Sequence, residues 1–270
     1  MRQRAKDEDG VAALRTVHDE HQFYGVRRLA IHLQWSENKA RRIRTLAGIV
    51  IPRASKKHRT TGTVAAEIAA PANALKPYAS FKDESRPQDG MTYAGMVESG
   101  GWVQDFTYLR FQGCYHYLAV VLDLKTRQVV GWRLGLRHTS ELTLAALLDA
   151  LSRYSPPAIL HSDQGSEYLS QRHQVVCDRL EITLSCSARA SPWQNGFMER
   201  WFGNFQLELG GLSRFADVAH LHEAIALQIH YYNTKRIHLA LRMSPAAYAA
   251  SLTPAPLTGR KDKMLQKRGA

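Results

Sequence analysis

Three carboxylates in this 270-residue chain stand in sequence contexts that suit metal-dependent chemistry. Asp105 interrupts the apolar and aromatic segment WVQDFTYL, where a charge is costly to bury unless a partner such as a metal ion neutralises it. Asp163 follows an apolar run in LHSDQGSEYLS, where a strand would end at a sheet edge. Glu199 lies in FMERWFGNFQLEL, on the more polar side of a helix whose apolar stripe repeats every four residues.

These three side chains would meet if adjacent strands carried Asp105 and Asp163 and the helix reached over the same edge. Hard oxygen ligands suit Mg²⁺ or Mn²⁺, and a pair of such ions can activate an attacking oxygen and stabilise the leaving oxygen of a phosphodiester. Plainer interpretations exist, because Asp163 also suits a turn and Glu199 a solvated helix face. Glu167 is expected to support Asp163 without binding metal, and Asp123 to end a strand or cap a turn.

The surrounding segments predict the sheet that would position these residues. WVQDFTYL, YHYLAVVLDL and RQVVGWRL are strand signals joined by short turns, as in antiparallel neighbours. A helix capped by Ser140, a strand in PPAILHSD, a helix over 171–180 and a strand in ITLSCS then alternate. This order predicts an α/β architecture, a mixed sheet covered by helices. His161, in the fourth strand, is expected to be a structural histidine.

Residues 22–48 give two short helical patterns separated by QWS. Ser36 is expected to cap the second helix, whose apolar positions Ala40, Ile43 and Ala47 leave several cations facing outward. Both a helix-turn-helix and a solvated basic helix face fit this pattern equally well. The charge distribution of the whole chain favours DNA binding.

The charge of the chain, +12 at neutral pH, is concentrated at its two ends. Residues 1–60 have 14 lysines and arginines against 6 acidic residues, 61–225 have 14 against 17, and 226–270 have 8 against 1. This segregation indicates basic arms that grip a polyanion around a middle that holds cations. Residues 51–95, rich in proline and alanine and without periodicity, are typical of a linker.

Composition excludes several classes of protein. With 44% hydrophobic and 22% charged residues the chain is globular, and its apolar runs are far shorter than the roughly 20 residues of a membrane span. No apolar signal region follows Met1, so a soluble intracellular protein is expected. Three cysteines without a CxxC pair argue against a disulfide framework or a four-cysteine zinc site, and each is expected to be a buried core thiol.

Taken together, these segments resemble the DDE transposases and retroviral-type integrases that have an RNase H-like core. The contexts of Asp105, Asp163 and Glu199 carry the resemblance, with 35 residues between the last two. YLAVVLDLKTRQVVGW and YYNTKRIHLALRMSPAAY are similar to segments of bacterial insertion-sequence transposases encoded by a second, frameshift-joined reading frame. The resemblance covers residues 22–248, and YGVRRL is similar to that family's N-terminal helix-turn-helix.

The resemblance implies that Asp105, Asp163 and Glu199 are catalytic and hold two divalent ions, Mg²⁺ or Mn²⁺. Water would free a 3′ hydroxyl at the element end, and this hydroxyl would attack another phosphodiester, with no covalent enzyme–DNA intermediate. The implied partners are the terminal repeats and the target DNA, further copies of the chain, and a protein from an upstream reading frame. No membrane is implied, and the location is the bacterial cytoplasm, on the nucleoid when bound to DNA.

The expected organisation is a helix-turn-helix module at 1–50, a linker at 51–95, an RNase H-like integrase core at 96–225 and a basic C-terminal segment at 226–270. The residues expected to contact DNA are basic residues of these arms and of the glutamate helix: Arg27, Arg28, Lys39, Arg41, Arg42, Arg44, Lys56, Lys57, Arg200, Lys235, Arg236 and His238.

Two positions depart from the family pattern. The helix that bears the glutamate usually carries basic residues about four and seven positions later, where this chain has Gly203 and Gln206. The loss of two phosphate contacts would weaken DNA binding. The main hypothesis is a transposase. The alternatives are a catalytically impaired, transposase-derived DNA-binding regulator and a metal-dependent nuclease without strand transfer, against which the basic ends argue.

Overall fold

The computed structural model describes residues 2–52, 70–81, 91–92, 100–188 and 192–252. Within these ranges, three N-terminal helices precede a sheet with helices on both faces: α1 (Arg2–Glu20), α2 (Val26–His32) and α3 (Glu37–Leu46). A small antiparallel ribbon, β1 (Ser80–Phe81) with β2 (Met91–Thr92), lies between them along the chain. None of the helices in the described part combines the length and the apolar character that a membrane crossing needs.

The main sheet has five strands in the order β5-β4-β3-β6-β7. These are β3 (Gly101–Phe111), β4 (Cys114–Asp123), β5 (Val129–Gly135), β6 (Ile159–Ser162) and β7 (Thr183–Cys186). The first three form an antiparallel meander, whereas β6 is parallel to β3, and β7 to β6. The predicted mixed sheet is therefore confirmed, including the strand order in the sequence.

Short, locally determined turns hold the meander together. Gln112 and Gly113 connect β3 to β4 with φ angles of 47° and 79°, the positive values that tight hairpin turns require. The Oδ1 atom of Asp123 accepts hydrogen bonds from the backbone N–H groups of Lys125 (2.7 Å) and Thr126 (2.6 Å). Asp123 thus caps the turn between β4 and β5, as expected.

Helices cover both faces of the sheet. The helices are α4 (Ser140–Leu151) and α5 (Gln171–Arg179) on one face, α6 (Gly196–Leu209) and α7 (Val218–Thr234) on the other, and the short α8 (Pro245–Leu252) beside α7. Each face has its own apolar core, and α6 contributes the buried side chains Met198, Trp201, Phe202, Phe205 and Leu209. This packing fixes α6 across β3, the strand that carries Asp105.

Helix α7 runs without a break through residue 225, where the core was expected to end. Its Leu221 and Ile225 are fully buried, and Ile229 and Tyr232 belong to the same core cluster. Apolar side chains at helical spacing bury α7 along its length, so the core extends to residue 232.

Part of the expected linker also packs on the core. Leu75 is fully buried in the α6 and α7 cluster, and the backbone N–H of Ala74 donates to Ser185 Oγ at 2.9 Å. Residues 73–79 therefore do not behave as a linker, because one leucine and its backbone hydrogen bonds anchor them. Residues 53–69, 82–90 and 93–99 lie outside the described residues.

His161 and the three cysteines were expected to be buried structural residues. His161 is fully buried, its ring nitrogens lie 2.8 Å from Ser185 Oγ and 3.0 Å from Ser187 Oγ, and burial lowers its pKa to about 4. It is a structural histidine, as expected. Cys177 and Cys186 are buried, but Cys114 is exposed because it opens β4 directly after the hairpin turn.

The N-terminal helices form a separate apolar cluster. Leu14 of α1 packs with Leu29 of α2 and with Ala40 and Ile43 of α3. Ser36 Oγ accepts the backbone N–H of Lys39 at 3.2 Å, which confirms the predicted helix cap. The result is a pair of short helices joined by a tight connection and supported by α1.

Candidate active site

Asp105 and Asp163 are brought side by side by the parallel pairing of β3 with β6. Gly101, Trp102 and Val103 pair with Ile159, Leu160 and His161, in a constant register. If the register continues for two more residues beyond the Val103–His161 pair, Asp163 lies opposite Asp105. Neighbouring strands lie about 4.8 Å apart. The sheet itself therefore sets the distance between these two carboxylates.

The turn after β6 fixes the orientation of Asp163 and adds a second acid. Asp163 Oδ1 accepts the backbone N–H of Gly165 at 3.0 Å. A Cβ atom on Gly165 would lie 2.9 Å from Glu167 Cδ and 3.1 Å from Asp163 Oδ1. The two carboxylates therefore flank Gly165 closely, and a larger residue at this position would displace the end of the Glu167 side chain.

Glu199 lies in the first turn of α6 and is exposed. Below it, Met198 is fully buried and Trp201 is nearly so, which leaves the intervening position outward. Further along α6, Gln206 Nε2 donates to Thr107 Oγ1 of β3 at 2.8 Å. This hydrogen bond joins α6 to β3 at Thr107. Thr107 is two residues from Asp105, so the two side chains lie on the same face of the sheet.

Like charges surround Asp105. Burial and then the negative charge of Asp163 raise the pKa of Asp105 well above its ordinary value, and Glu199 and Glu167 raise it further. The pKa of Asp163 is also raised, by desolvation of its carboxylate and by Glu167. Burial and the same acids raise the pKa of Tyr168, whose hydroxyl is buried without a hydrogen-bond partner in the described part of the chain. This is a concentrated region of negative charge.

The donor set fits a hard divalent cation. Carboxylate oxygens are the ligands that Mg²⁺ and Mn²⁺ prefer, and a cation would relieve the repulsion between Asp105 and Asp163. Among the residues that the structure describes, no three His, Cys, Asp or Glu side chains are already gathered in the geometry of a metal site. The two aspartates could therefore form the base of a site, and Glu199 reaches it electrostatically from α6.

Two family models match the region that contains this site. Residues 98–192 match a model described as an integrase core domain, and residues 180–245 match a second model with the same description. The two matched regions together run from residue 98 to residue 245 of this chain. The matched residues include the whole sheet, α6 and α7, so the carboxylates lie inside the integrase core.

Individual relatives agree with this assignment. The chain is 34% identical over 143 residues to the transposase for insertion sequence element IS904 of Lactococcus lactis, over 52% of this chain and 56% of that protein. It is 28% identical over 237 residues to InsK of insertion sequence element IS150 of Escherichia coli, over 86% and 79%. The chain thus spans little more than half the length of the Lactococcus relative.

A solved structure shows the same fold. A chain of the simian T-cell lymphotropic virus intasome, determined in complex with a PP2A regulatory subunit, superimposes with a TM-score of 0.53 at 18% identity. The match covers 92% of this chain and 78% of that one. The fold of the integrase core is therefore RNase H-like, as the sequence resemblance implied.

The residues near the integrase core that were expected to contact DNA differ in their exposure. Arg200, beside Glu199, and Lys235 are exposed. Arg236 is 4% exposed and its guanidinium pairs with Glu208, so this side chain is not available to a phosphate. Burial and neighbouring arginines lower the pKa of His238 to about 4, so it carries no charge at neutral pH. Arg236 therefore has a structural partner in place of a phosphate, and the expected contact of His238 with DNA stays a prediction.

The expected contacts of the N-terminal helices are also divided. Arg27 and the α3 residues Lys39 and Arg41 are exposed. Arg28 is half-buried, and its Nε donates to the carbonyl oxygen of Ile237 at 2.8 Å, so it joins this module to the integrase core. Two further α3 cations differ in exposure: Arg44 is partly exposed, whereas Arg42 is exposed but pairs with Asp7 of α1. The expected contacts Lys56 and Lys57 lie outside the described residues.

Sequence reasoning missed several residues that build the site. Tyr168 places a buried hydroxyl among the acids, and the side chain of Arg127 lies over the Phe197 ring, 4.2 Å from its centroid, at the start of α6. Gln206 was interpreted as a lost phosphate contact, whereas it holds α6 to Thr107. Gly165, which separates Asp163 from Glu167, does have a local signal in the sequence, since it lies two residues after an aspartate at a strand end.

Proposed function

We propose that this chain is a DDE-type transposase, a polynucleotidyl transferase that cleaves DNA at the 3′ ends of a mobile element and joins them to a target. The observation that carries the proposal is the parallel register of β3 and β6, which makes Asp105 and Asp163 level inside an integrase core. The transposase name of the Lactococcus relative supports it.

Asp105, Asp163 and Glu199 are proposed to hold Mg²⁺ or Mn²⁺, two ions in the active complex. Bound ions of this kind lower the pKa of water and stabilise charge on the attacking and leaving oxygens of a phosphodiester. The chain supplies preorganised ligands, because β3 fixes one aspartate and the Gly165 N–H fixes the other. The Gln206–Thr107 hydrogen bond holds α6, and with it Glu199, near this pair.

The proposed reaction has two steps at phosphorus. Water attacks the phosphodiester, the P–O3′ bond breaks, and the leaving oxygen takes a proton to become the 3′ hydroxyl of the element. This hydroxyl then attacks a phosphodiester of the target, a new P–O3′ bond forms, and the 3′ oxygen of the target leaves. The chain itself forms no bond to DNA in either step.

The N-terminal helices are proposed to bind DNA as a helix-turn-helix. The exposed Arg27 and Arg41 line a groove of about 310 Å³ between α2 and α3, together with Leu239 and with Glu37, whose Oε1 lies 3.8 Å from Arg27 Nε. A phosphate backbone in this groove would meet cations from both helices. Arg28 and Ile237 connect the groove to the core, so DNA held there has a fixed relation to Asp105.

Further copies of the chain on DNA are proposed as partners, because two element ends must be joined to one target. The terminal repeats and the target are the proposed nucleic-acid partners. Action on DNA would place the protein in the bacterial cytoplasm, on the nucleoid when bound.

The test is cleavage and joining of a labelled duplex that carries the end of the host element, with Mg²⁺ or Mn²⁺. Wild type is expected to nick the duplex and join it to target DNA, and Asp163→Ala to do neither. Asp178→Ala, which removes an exposed carboxylate of α5, serves as the matched control and should keep both activities.

Other outcomes favour the alternatives. Nicking without joining by the wild type would indicate a nuclease. Binding without either reaction would indicate a DNA-binding regulator. One of the two sequence departures that suggested a regulator, Gln206, has a structural partner in Thr107, which weakens that alternative.

A further inference from the structure

The far end of the β3–β4 hairpin has an exposed aromatic surface that none of the helices in the described ranges covers. Tyr108 and Tyr115 are each 52% exposed, although large aromatic side chains are usually buried. We name the surface the aromatic platform and define it by six side chains: Phe106, Tyr108, Arg110, Tyr115, Tyr117 and His138.

Strand geometry places these side chains on one face of the sheet. Successive residues of a strand alternate between faces, so Phe106, Tyr108 and Arg110 point the same way. Tyr108 pairs with Tyr117, and Arg110 with Tyr115, across the antiparallel ladder. Helices α4 and α5 pack on this face mainly nearer the other end of the strands, against Trp102 and Val121, and their apolar cluster reaches as far as Phe106, the inner edge of the platform.

The rings of the platform are arranged edge to face and in stacks. The Tyr108 and Tyr115 rings are perpendicular, 5.7 Å apart, and the His138 ring lies parallel to that of Phe106 at 5.6 Å. Tyr117 lies 5.0 Å from His138. The rings thus hold one another in place, and the outer two present both a face and an edge to solvent.

Charge on the platform has one sign. Residues 106–122 and 127–140 contain no aspartate or glutamate. Arg110 and Arg137 are exposed there, and neither forms an ion pair with another described residue. A ligand that fits this surface has flat apolar faces and negative charge, which is the chemistry of nucleotides.

We propose that the aromatic platform stacks unpaired bases of the DNA substrate beside the reacting phosphodiester. The inference rests on the proposed function, since it assigns part of that substrate to a second surface. Exposed rings combined with cations are how proteins bind unpaired strands without sequence preference.

The platform and the carboxylate site lie on opposite faces of the sheet and meet at the edge of β3, because Asp105 and Phe106 are successive residues of this strand. Phe106 follows Asp105, and its ring lies 6.5 Å from that of Tyr168, the tyrosine among the acids. Tyr108 is three residues from Asp105, about 10 Å along the strand or about three nucleotide steps. Among the residues that the structure describes, β6 pairs with β3 only as far as Val103, so a DNA strand at Asp105 can pass over this edge to the platform.

A second copy of the chain fits the surface less well than DNA does. A two-fold contact through the platform would bring Arg110 and Arg137 of both copies together, and the platform has no acid to neutralise them. Nucleic acid supplies the missing negative charge.

The test uses the full chain and a single-stranded oligonucleotide that contains 2-aminopurine, whose fluorescence falls when it stacks on an aromatic ring. Wild type is expected to quench the probe. Tyr108→Ala with Tyr115→Ala should abolish the quenching and weaken binding by about tenfold or more. Tyr108→Phe keeps the ring and should retain quenching. Tyr154→Ala, at an exposed tyrosine after α4, should behave as wild type.

Two results would overturn the proposal. In one, the double alanine variant quenches and binds the probe as wild type does. In the other, sedimentation shows that the double variant has lost a dimer that wild type forms without DNA, which would assign the surface to a second copy. Quenching by a wild type that neither nicks nor joins duplex DNA would refute the proposed function and leave the platform standing, so the two failures are distinguishable.

Discussion

The glutamates at the two ends of α6 lie in opposite electrostatic environments. At its C-terminal end Glu208 is 6% exposed, and Nε and Nη2 of Arg236 donate to its carboxylate at 2.8 and 2.5 Å. At its N-terminal end Glu199 adds negative charge near Asp105, whose pKa other acids have already raised. One glutamate is neutralised inside the protein, and the other belongs to a group of like charges.

This difference separates a structural role from a chemical one. A buried ion pair with its hydrogen bonds satisfied holds parts of a fold in register. Neighbouring acids raise one another's pKa, and desolvation raises it further. Their ionised forms therefore destabilise the folded protein, and such groups concentrate at functional sites. Helix α6 therefore has both roles. Its C-terminal end is held by the ion pair with Arg236, and its N-terminal end carries Glu199 of the carboxylate site.

The largest effect is expected from Glu208→Gln, which leaves Arg236 buried without a countercharge. The free energy of unfolding should fall by about 3–5 kcal/mol, because the uncompensated guanidinium keeps its desolvation penalty. Urea unfolding of the full chain measures this loss. The double change of Glu208→Met with Arg236→Met removes both charges and should be considerably more stable than the single variant. A single variant as stable as wild type would contradict the structural role.

The opposite sign is expected for Asp105→Asn. Because the folded-state pKa of Asp105 is raised, its ionised form destabilises the folded protein, and this loss of stability develops as pH rises from the ordinary carboxyl range towards the folded pKa. Without divalent ions at neutral pH, the variant should melt higher by on the order of a few degrees. The gain should disappear below the ordinary carboxyl pKa.

Thermal unfolding at a series of pH values in chelator measures this difference. Asp178→Asn, which removes an exposed carboxylate of α5, is the control and should not change the melting temperature. A lower melting temperature for Asp105→Asn than for wild type at neutral pH would contradict the proposed repulsion between the carboxylates at this end of α6.

The smallest effect is expected from Gly203→Lys, one turn after Glu199. A Cβ atom at Gly203 meets nothing within 4 Å, so the side chain fits, and helix stability should rise by up to about 1 kcal/mol. A lysine there adds one cation on the outer face beside the carboxylates. DNA affinity should rise, with a salt dependence steeper by about one counterion.

The control for this prediction is Gly203→Ala. It should give a similar gain in stability and leave the salt dependence of DNA binding unchanged. If the lysine and alanine variants bind DNA with equal salt dependence, this face of α6 does not meet a phosphate.

Local patterns in the sequence predict most of the sheet and its carboxylates. Alternating apolar residues identify the strands, and Asp105 is conspicuous because it interrupts one of them. The cap at Ser36 and the turn at Asp123 depend on interactions within three residues, so they too are predictable. The family resemblance adds Glu199, which a helical pattern alone would assign to a solvated face.

Partners that are distant in the sequence were not predictable. Arg236 looks like a phosphate ligand until Glu208, 28 residues earlier, is brought beside it. Gln206 looks like a lost contact until Thr107, 99 residues earlier, is beside it. Leu75 lies in a proline-containing stretch that has no helical or strand period, and only the tertiary structure buries it.

We propose that the fold holds Asp105 and Asp163 together so that they bind divalent cations. The most direct test is a count of Mn²⁺ bound per chain by electron paramagnetic resonance, in wild type, Asp105→Asn and Asp178→Asn. We expect wild type and Asp178→Asn to bind Mn²⁺ saturably, and Asp105→Asn to lose this binding. Equal binding by all three chains would contradict it.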